Sequence, residues 1–449
     1  MGRYFGTDGI RGVVNETLTA DLAYRAGAAA ATVLAETRHK RPLIVIGRDT
    51  RISGDMLQAA LTAGICSAGG DVIPLGVLPT PAIAYLTVQK KADLGIVISA
   101  SHNPYEHNGI KMFNDSGYKV PDEIEARIED LIDGIYPTAV KTHGEMGRVI
   151  DDEGRGADAY VEYLAGKAEG PISGLRVAVD CSNGAASATA AKLFSHFAID
   201  FELLSDHPNG VNINDKCGST HMQRLCDFVV SGGFDLGIAF DGDADRCLIV
   251  DETGREIDGD RIMAMCGSYL QARGRLRQNA IVATVMSNMG LHEFGRNSGI
   301  DILCANVGDR NVLAMMQEKG CSLGGEQSGH IIFLDDATTG DGQLAAVKIL
   351  SIVAASGKKV SELVDVVPQY PQVLLNCPIA GGNEAKARIM ADPALQKAIA
   401  DEQETLGDSG RILVRPSGTE ALIRVMVEAK SQQTAQTCAE RLFNLIKLH

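Results

Sequence analysis

The amino-acid sequence predicts an α/β protein in which three similar α/β domains precede a smaller α+β domain. Its 449 residues suffice for about three or four domains by the usual relation of length to domain number. Apolar, β-branched runs alternate with helical patterns through most of the chain, as in βαβ units, and this order changes near residue 370. We expect domains at residues 1–153, 154–256, 257–368 and 369–449.

Composition and charge limit the partners of the protein. The net charge of −15 argues against a nucleic-acid partner and against an anionic membrane. No Cys-x-x-Cys pair occurs among the ten cysteines, so a zinc site or a thioredoxin-like motif is not predicted. Because no signal-like segment and no run of about 18 apolar residues is found, we expect reduced thiols and a cytosolic location.

The first domain leads to a serine at the end of a buried strand. Its opening segment, Phe5 to Gly12, is rich in glycine and fits either a loop that folds back on a site or a plain hairpin with a surface Arg11. The elements that follow are helix 19–36, strand 43–47, helix 55–68, strand 71–75, helix 81–89, strand 94–98 and a helix from Pro121. Strand 94–98 breaks into Ser-Ala-Ser101-His-Asn-Pro, at the sheet edge where α/β proteins place their chemistry. We predict that Ser101 carries a phosphoryl group, although taken alone it is a turn serine.

The second domain carries three alternating aspartates directly after an apolar strand. Its predicted elements are helix 157–167, strand 175–180, helix 185–196, strand 200–204, helix 221–230, strand 234–240 and strand 247–250. Asp241, Asp243 and Asp245 point the same way in an extended or turning chain, and carboxylate oxygens select a hard cation such as Mg²⁺. The spacing also matches a calcium loop, but Arg246 stands where that loop needs glycine. A solvated acidic turn is the structural alternative.

Two further polar loops follow in the last two domains. The predicted elements are helix 259–273, strand 280–285, helix 289–297, strand 301–305, helix 309–318, helix 341–354, strand 371–377, helix 383–399, strand 411–414, strand 422–428 and helix 431–446. Glu326 and Ser328 alternate in a glycine-rich loop that suits sugar hydroxyls, and His330 is either a proton donor or a core histidine. Arg415, Ser417, Gly418 and Thr419 have the makings of a phosphate clamp, or of an ordinary turn.

These motifs together resemble one family. SASHNP with NGIK, DGDADR, GEQSGH and RPSGTE occur in this order in the α-D-phosphohexomutases, and the resemblance runs from residue 3 to about 430. The opening FGTDGIRG and the closing RPSGTE with IRVMVE are most similar to bacterial members that act on glucosamine phosphates. The resemblance implies three α/β domains with mixed sheets and a smaller fourth domain around a central cleft. It also implies interconversion of glucosamine 6-phosphate and glucosamine 1-phosphate, on the route to UDP-N-acetylglucosamine.

The resemblance also implies a role for each candidate residue. Ser101 is similar to the family's phosphoserine, which together with Asp241, Asp243 and Asp245 would hold one Mg²⁺. Glu326 and Ser328 match the sugar loop. The clamp on the phosphate that is not transferred corresponds to Arg415, Ser417, Gly418 and Thr419. Groups that neutralise charge or move protons correspond to Arg11, Lys111, Arg246 and His330. Phosphorylated Ser101 would give its group to the sugar and take back the other phosphate through a sugar bisphosphate.

Several alternatives stay open at the level of sequence. A phosphomannomutase or phosphoglucomutase of the same family would share these catalytic residues. The sequence does not single out a residue that would recognise the amino group of the sugar, and residues 307–310 are the only suggestion for that role. A phosphosugar-binding regulator without catalysis and a serine phosphatase are the other two readings. The expected partner is a small hexosamine phosphate. The sequence does not settle the oligomeric state, with a homodimer as one option.

Overall fold

The computed structural model describes residues 2–6, 8–38, 40–417 and 421–447. These residues form four separate β-sheets with six, five, four and three strands. The prediction of three α/β domains with mixed sheets and a smaller α+β domain is confirmed. All ten cysteines lie in the described ranges, where none forms a disulfide and only Cys304 is exposed.

The first sheet has the strand order β1-β2-β6-β5-β3-β4. Its domain contains β1 (Phe5–Gly6), β2 (Gly9–Val13), α1 (Ala20–Arg38), β3 (Leu43–Arg48), α2 (Gly54–Ser67), β4 (Asp71–Val77), α3 (Thr80–Gln89), β5 (Leu94–Ile98), β6 (His107–Asn114) and α4 (Asp122–Ile132). Strand β3 pairs in parallel with β4 and β5, whereas β6 pairs antiparallel with β5 and β2. The sequence analysis did not predict β6 as a strand, because its polar residues hide the period. For the opening segment it gave a loop or a hairpin, and the structure has the β1–β2 hairpin there.

Helices α1 and α2 pack closely because glycines face the neighbouring backbone. A Cβ on Gly64 would lie 2.1 Å from the Tyr24 carbonyl oxygen, and one on Gly27 would lie 2.5 Å from that of Leu61. The alanine-rich face of α1 is buried against α2 and the sheet in the core of this domain. That core supports strand β5, which delivers Ser101.

The second sheet has the order β11-β10-β9-β7-β8. Its domain contains α5 (Arg155–Ala165), β7 (Ser173–Asp180), α6 (Ala190–Phe194), β8 (Ala198–Leu204), α7 (Gln223–Gly232), β9 (Leu236–Phe240), β10 (Cys247–Asp251) and β11 (Glu256–Ile257). Strands β9 and β10 are antiparallel and leave the aspartate triplet in the turn between them. The predicted helix 185–196 is instead a 3₁₀ turn followed by α6, because the backbone of Thr189 leaves the helical region at φ −125°.

The third sheet has the order β13-β12-β14-β15. This part of the chain contains α8 (Gly259–Ala272), β12 (Ala280–Thr284), α9 (Met289–Ser298), β13 (Asp301–Ala305), α10 (Asp309–Lys319), β14 (Leu323–Gly325), β15 (Ile331–Phe333), α11 (Gly342–Ser356) and α12 (Val360–Val364). Strand β12 runs parallel to β13 and β14, and β14 returns antiparallel as β15. The β14–β15 hairpin therefore carries residues 326–330 at its tip.

The fourth sheet is antiparallel, with the order β16-β18-β17. Its elements are β16 (Gln372–Pro378), α13 (Gly382–Met390), α14 (Pro393–Leu406), β17 (Gly410–Pro416), β18 (Leu422–Ala429) and α15 (Gln432–Lys447). The predicted single helix 383–399 is two helices, because Asp392 caps a new helix that starts at Pro393.

By its internal contacts the chain divides into two compact units. The first comprises residues 1–285 and 301–365, and the second comprises 286–300 and 366–449. Helix α9 therefore belongs with the C-terminal sheet. Within this second unit, Asn288 donates a hydrogen bond to the Tyr370 carbonyl, and the amide of Met289 donates to Glu428. Among the helices of the described ranges, none combines the length and the apolar content that crossing a bilayer would require.

Candidate active site

Ser101 sits in a strained turn directly after β5. Its φ is +53°, in the left-handed region, and the residue is only 2% exposed. Its hydroxyl donates to Asp241 Oδ2 at 2.6 Å, and its amide donates to Ser99 Oγ at 2.9 Å. The serine hydroxyl is thus held against the aspartate turn of the next domain.

A buried arginine, Arg51, fixes this turn through hydrogen bonds to its backbone carbonyls. Its guanidinium donates to the carbonyls of four residues of the serine loop, namely Ser101, Asn103, Pro104 and His107. It also donates to Asp49 Oδ2 at 2.8 Å, and that same oxygen accepts from Ser99 Oγ at 2.6 Å. The sequence analysis missed this role of Arg51. The available signal was an Asp-x-Arg pair directly after strand β3.

The three aspartates converge. One carboxylate oxygen from each of Asp241, Asp243 and Asp245 lies within 4.8 Å of the others. Asp243 Oδ2 accepts from Thr80 Oγ1 at 2.7 Å, whereas Asp243 Oδ1 and Asp245 Oδ1 are buried without a hydrogen-bond partner among the described residues. Burial and the other two carboxylates raise the pKa of Asp241 well above its usual range. An all-oxygen set with unpartnered buried oxygens fits a hard divalent cation.

Lys111 borders the triplet from β6. Its Nζ donates to Asp243 Oδ2 at 2.8 Å and lies 3.0 Å from Asp8 Oδ2. Burial acts to lower the pKa of Lys111, but the carboxylates of Asp243 and Asp8 raise it overall, so the side chain is an ammonium. Arg11 is half-buried on β2 and donates to Asp8 at 2.5 Å, so it is not the plain surface arginine of the hairpin alternative.

Arg246 and His330 face the same carboxylates. The Arg246 amide donates to Asp241 Oδ1 at 3.2 Å, and its guanidinium lies 3.9 Å from Asp245. His330 Nδ1 lies 3.5 Å from Asp245 Oδ2, while its Nε2 accepts from the Gly340 amide at 3.1 Å. Burial acts to lower the pKa of His330, but the Asp245 carboxylate raises it overall, to about 9. The proton that faces Asp245 lies on Nδ1, since the Gly340 amide, which can only donate, is the partner of Nε2.

The predicted sugar loop occupies the tip of the β14–β15 hairpin. Glu326 Oε1 accepts from the Gly308 amide at 3.0 Å. The Ser328 hydroxyl is buried and has no hydrogen-bond partner in the part of the chain that is described. It is therefore free to form a hydrogen bond with a ligand. The segment 307–310 does lie beside Glu326, but the Arg310 guanidinium is occupied by ion pairs with Asp122 and Glu125.

The predicted phosphate clamp belongs to the second unit. Arg415 lies on β17 opposite Arg424 of β18, and burial together with this neighbouring charge lowers the pKa of Arg415. The carbonyl of Ser417 accepts from Lys386 Nζ at 2.5 Å. Gly418 and Thr419 lie outside the described residues.

The sequence analysis did not predict a role for two further charged residues of the first unit, Asp8 and Lys119, and it named Asp309 only within the segment 307–310. Asp8, Lys119 and Asp309 form a chain of ion pairs, in which Lys119 Nζ lies 2.6 Å from Asp8 and 2.5 Å from Asp309. Asp8 belongs to the glycine-rich opening segment, where its charge between Gly6 and Gly9 was the available signal. Nothing in the sequence indicates that Lys119 and Asp309 meet, because 190 positions separate them.

Comparison with known proteins gives consistent matches along the whole chain. Four domain families match consecutive parts: "Phosphoglucomutase/phosphomannomutase, alpha/beta/alpha domain I" at residues 2–138, domain II at 158–254, domain III at 258–370 and the C-terminal domain at 374–445. A phosphoglucosamine mutase of Rhodococcus erythropolis is 51% identical, with 99% of each chain covered. One from Acetivibrio thermocellus is 49% identical, with 100% of this chain and 99% of the relative covered.

Solved structures agree on the fold. A phosphoglucomutase/phosphomannomutase family protein from Burkholderia thailandensis superposes with a TM-score of 0.82 at 26% identity, covering 99% of this chain and 97% of the other. An N-acetylphosphoglucosamine mutase of Aspergillus fumigatus, in complex with GlcNAc-6P and magnesium, gives a TM-score of 0.71 at 18% identity, covering 99% of this chain and 95% of the other. At that identity the second match speaks for the fold alone.

Proposed function

Because the chain belongs to the phosphoglucomutase/phosphomannomutase family, we propose that it is an enzyme that interconverts glucosamine 6-phosphate and glucosamine 1-phosphate. Its curated relatives at about half identity over the full length carry the name phosphoglucosamine mutase. The observation that carries the proposal is the 2.6 Å hydrogen bond from Ser101 Oγ to Asp241, within a triplet of buried carboxylates.

In this proposal Ser101 carries the phosphoryl group that is exchanged with the sugar. When the sugar hydroxyl accepts that group, its oxygen bonds to phosphorus and loses a proton, while the bond from phosphorus to Ser101 Oγ breaks and Ser101 Oγ gains a proton. Asp241 Oδ2, which accepts from the Ser101 hydroxyl at 2.6 Å, orients this oxygen for the transfer.

Positive charge around the triplet serves the transferring group. Phosphoryl transfer depends mainly on positioning and on stabilisation of negative charge. Lys111, held as an ammonium, and Arg246 supply fixed positive charge beside the aspartates. His330 is kept in one orientation by Gly340 and Asp245. A bound Mg²⁺, for which the residues Asp241, Asp243, Asp245 and Ser101 are proposed, would withdraw charge from the phosphoryl oxygens.

The sugar and its second phosphate require separate groups. We propose that Glu326 and Ser328 bind sugar hydroxyls, supported by the buried, unpartnered Ser328 Oγ among the described residues. For the phosphate that is not transferred, Arg415, Ser417, Gly418 and Thr419 stay the proposed clamp. A sugar bisphosphate as intermediate and activator, a homodimer and a cytosolic location also stay predictions.

A coupled assay with Mg²⁺ and a bisphosphate primer tests the proposal. We expect glucosamine 6-phosphate to give the highest kcat/KM among glucosamine, glucose and mannose 6-phosphates, and S101A to lose turnover. A preference for glucose or mannose phosphate would assign the enzyme to another branch of the family. Release of inorganic phosphate faster than isomerisation would instead favour a phosphatase.

A further inference from the structure

Five charged side chains form an alternating chain that ends at the aspartate triplet. Asp309 pairs with Lys119 at 2.5 Å, Lys119 with Asp8 at 2.6 Å, Asp8 with Lys111 at 3.0 Å, and Lys111 with Asp243 at 2.8 Å. Each charge therefore has neighbours of opposite sign, which lets the chain remain charged although it is largely buried.

Asp8 is the centre of this chain. Its two carboxylate oxygens receive three cations: Lys119 on Oδ1, and both Lys111 and Arg11 on Oδ2. These three positive charges hold the pKa of Asp8 well below its usual range, against the effect of burial. The proposed function assigns Lys111 to phosphoryl transfer, and the family resemblance implies that Arg11 also neutralises charge there.

We propose that Asp8 is a positioning residue for phosphoryl transfer, acting through Lys111 and Arg11, with Lys119 as the support that orients its carboxylate. The proposal rests on the proposed function, because the roles of Lys111 and Arg11 do. Asp8 itself does not touch the aspartate triplet. Asp8 shares the Lys111 ammonium with Asp243, so that Lys111 Nζ is not drawn to Asp243 alone. The Asp8 carboxylate also pairs with the Arg11 guanidinium and holds it in place.

The geometry shows what the loss of Asp8 would do. Lys111 Nζ is shared between Asp8 and Asp243, whose Oδ2 atoms lie at 3.0 and 2.8 Å. Without the Asp8 charge, Lys111 would be drawn to Asp243 alone, and Arg11, Lys111 and Lys119 would repel one another. The positive charges would then be misplaced, and Lys111 would compete with a cation for Asp243.

The test uses the full-length enzyme and four variants. D8N keeps the shape and removes the charge, D8E keeps the charge on a longer side chain, and K119M removes the support. D115N is the matched control, because Asp115 also pairs with an arginine, Arg38, in the same domain at 2.6 Å but is exposed to solvent. The kcat is normalised to the fraction of molecules that carry phosphate on Ser101, measured by intact-protein mass spectrometry.

For D8N we expect kcat to fall about 10- to 100-fold with KM changed by less than about threefold, since a charge displaced by about 1 Å is enough for such a loss. D8E should recover part of the loss, K119M should lose less than D8N, and D115N should match the wild type. The Mg²⁺ concentration that gives half of the maximal thermal shift, measured without substrate, should rise in D8N.

A normalised kcat of D8N equal to that of the wild type would overturn the proposal. A lower melting temperature of D8N with unchanged kcat and an unchanged response to Mg²⁺ would also overturn it, because Asp8 would then contribute to stability alone. If D8N does not fold, K119M decides, because it leaves Asp8 in place: a normal kcat in K119M overturns the proposal. Absence of turnover in the wild type would instead refute the proposed function.

Discussion

Replacing Arg51 by methionine should damage both the stability of the protein and its turnover. The Arg51 side chain is fully buried, and its ion pair with Asp49 is shielded from water. The same guanidinium donates to the carbonyls of Ser101 and Asn103 at 2.8 and 2.9 Å. R51M therefore removes the support of the serine loop and leaves Asp49 without its cation.

The expected loss follows from these contacts. Removing one partner of a buried ion pair costs about 3–5 kcal/mol, because the remaining charge stays buried. Loop carbonyls that lose their donor add about 1 kcal/mol each where water cannot replace it. Burial already raises the pKa of Asp49 with Arg51 present, and R51M should raise it further. The destabilisation should therefore be smaller at pH 5, where Asp49 can take up a proton, than at pH 8.

Urea unfolding followed by circular dichroism, together with kcat, measures both effects. R48M is the matched control, since Arg48 lies three positions away and pairs with Asp55, whose side chain is 78% exposed. Because the Asp55 carboxylate lies in water, although the Arg48 side chain is only 19% exposed, this pair contributes about 1 kcal/mol or less. We also expect R51M to lower kcat about 100-fold through displacement of Ser101. Equal stability and equal kcat for R51M and R48M would refute this reasoning.

Three further predictions concern other buried groups. Burial raises the pKa of Asp341 to about 6, so this carboxyl makes the folded state less stable as pH rises from about 4 to 6. The free energy of unfolding of D341N should therefore exceed that of the wild type by up to about 3 kcal/mol at pH 7.5 and equal it at pH 4. A difference in urea unfolding that is the same at both pH values would contradict this. Burial and the charges of Arg246 and Arg11 lower the pKa of His102 to about 4. H102Q should therefore leave the shape of the pH–rate profile between pH 6 and 8 unchanged. Loss of a pH-dependent change in kcat within this range would contradict the prediction. D243N should abolish the stabilisation of the protein by Mg²⁺ in thermal-shift assays, and an unchanged shift would place the cation elsewhere.

Much of the fold could be predicted because buried strands and amphipathic helices have clear periods. Strand β5 was predicted with its observed bounds, and the aspartate triplet followed directly from the end of an apolar strand. Strand β6 was missed because His107, Asn108 and Lys111 interrupt its apolar pattern. These polar residues belong to the candidate site, so the functional requirement obscured the structural signal.

The supporting residues of the candidate site could not be predicted, because they act over long separations in sequence. Arg51 reaches the Ser101 carbonyl across 50 positions. Lys119 meets Asp309 only once the first and third domains have folded. A local pattern predicts which side chains can carry the chemistry, whereas the partners that orient them depend on tertiary packing.

The central claim is that Ser101 passes a phosphoryl group to glucosamine 6-phosphate. It is tested most directly by a single-turnover experiment with enzyme phosphorylated on Ser101, mixed with one equivalent of glucosamine 6-phosphate and Mg²⁺ and quenched over time. The phosphoryl group on Ser101 is labelled with oxygen-18, so that mass spectrometry distinguishes it from the substrate phosphate. The labelled group should leave the enzyme as an equal amount of glucosamine bisphosphate forms, and the enzyme should regain an unlabelled phosphate as glucosamine 1-phosphate appears. A labelled phosphate that stays on Ser101 while glucosamine 1-phosphate forms, or that appears as inorganic phosphate instead, would contradict the claim.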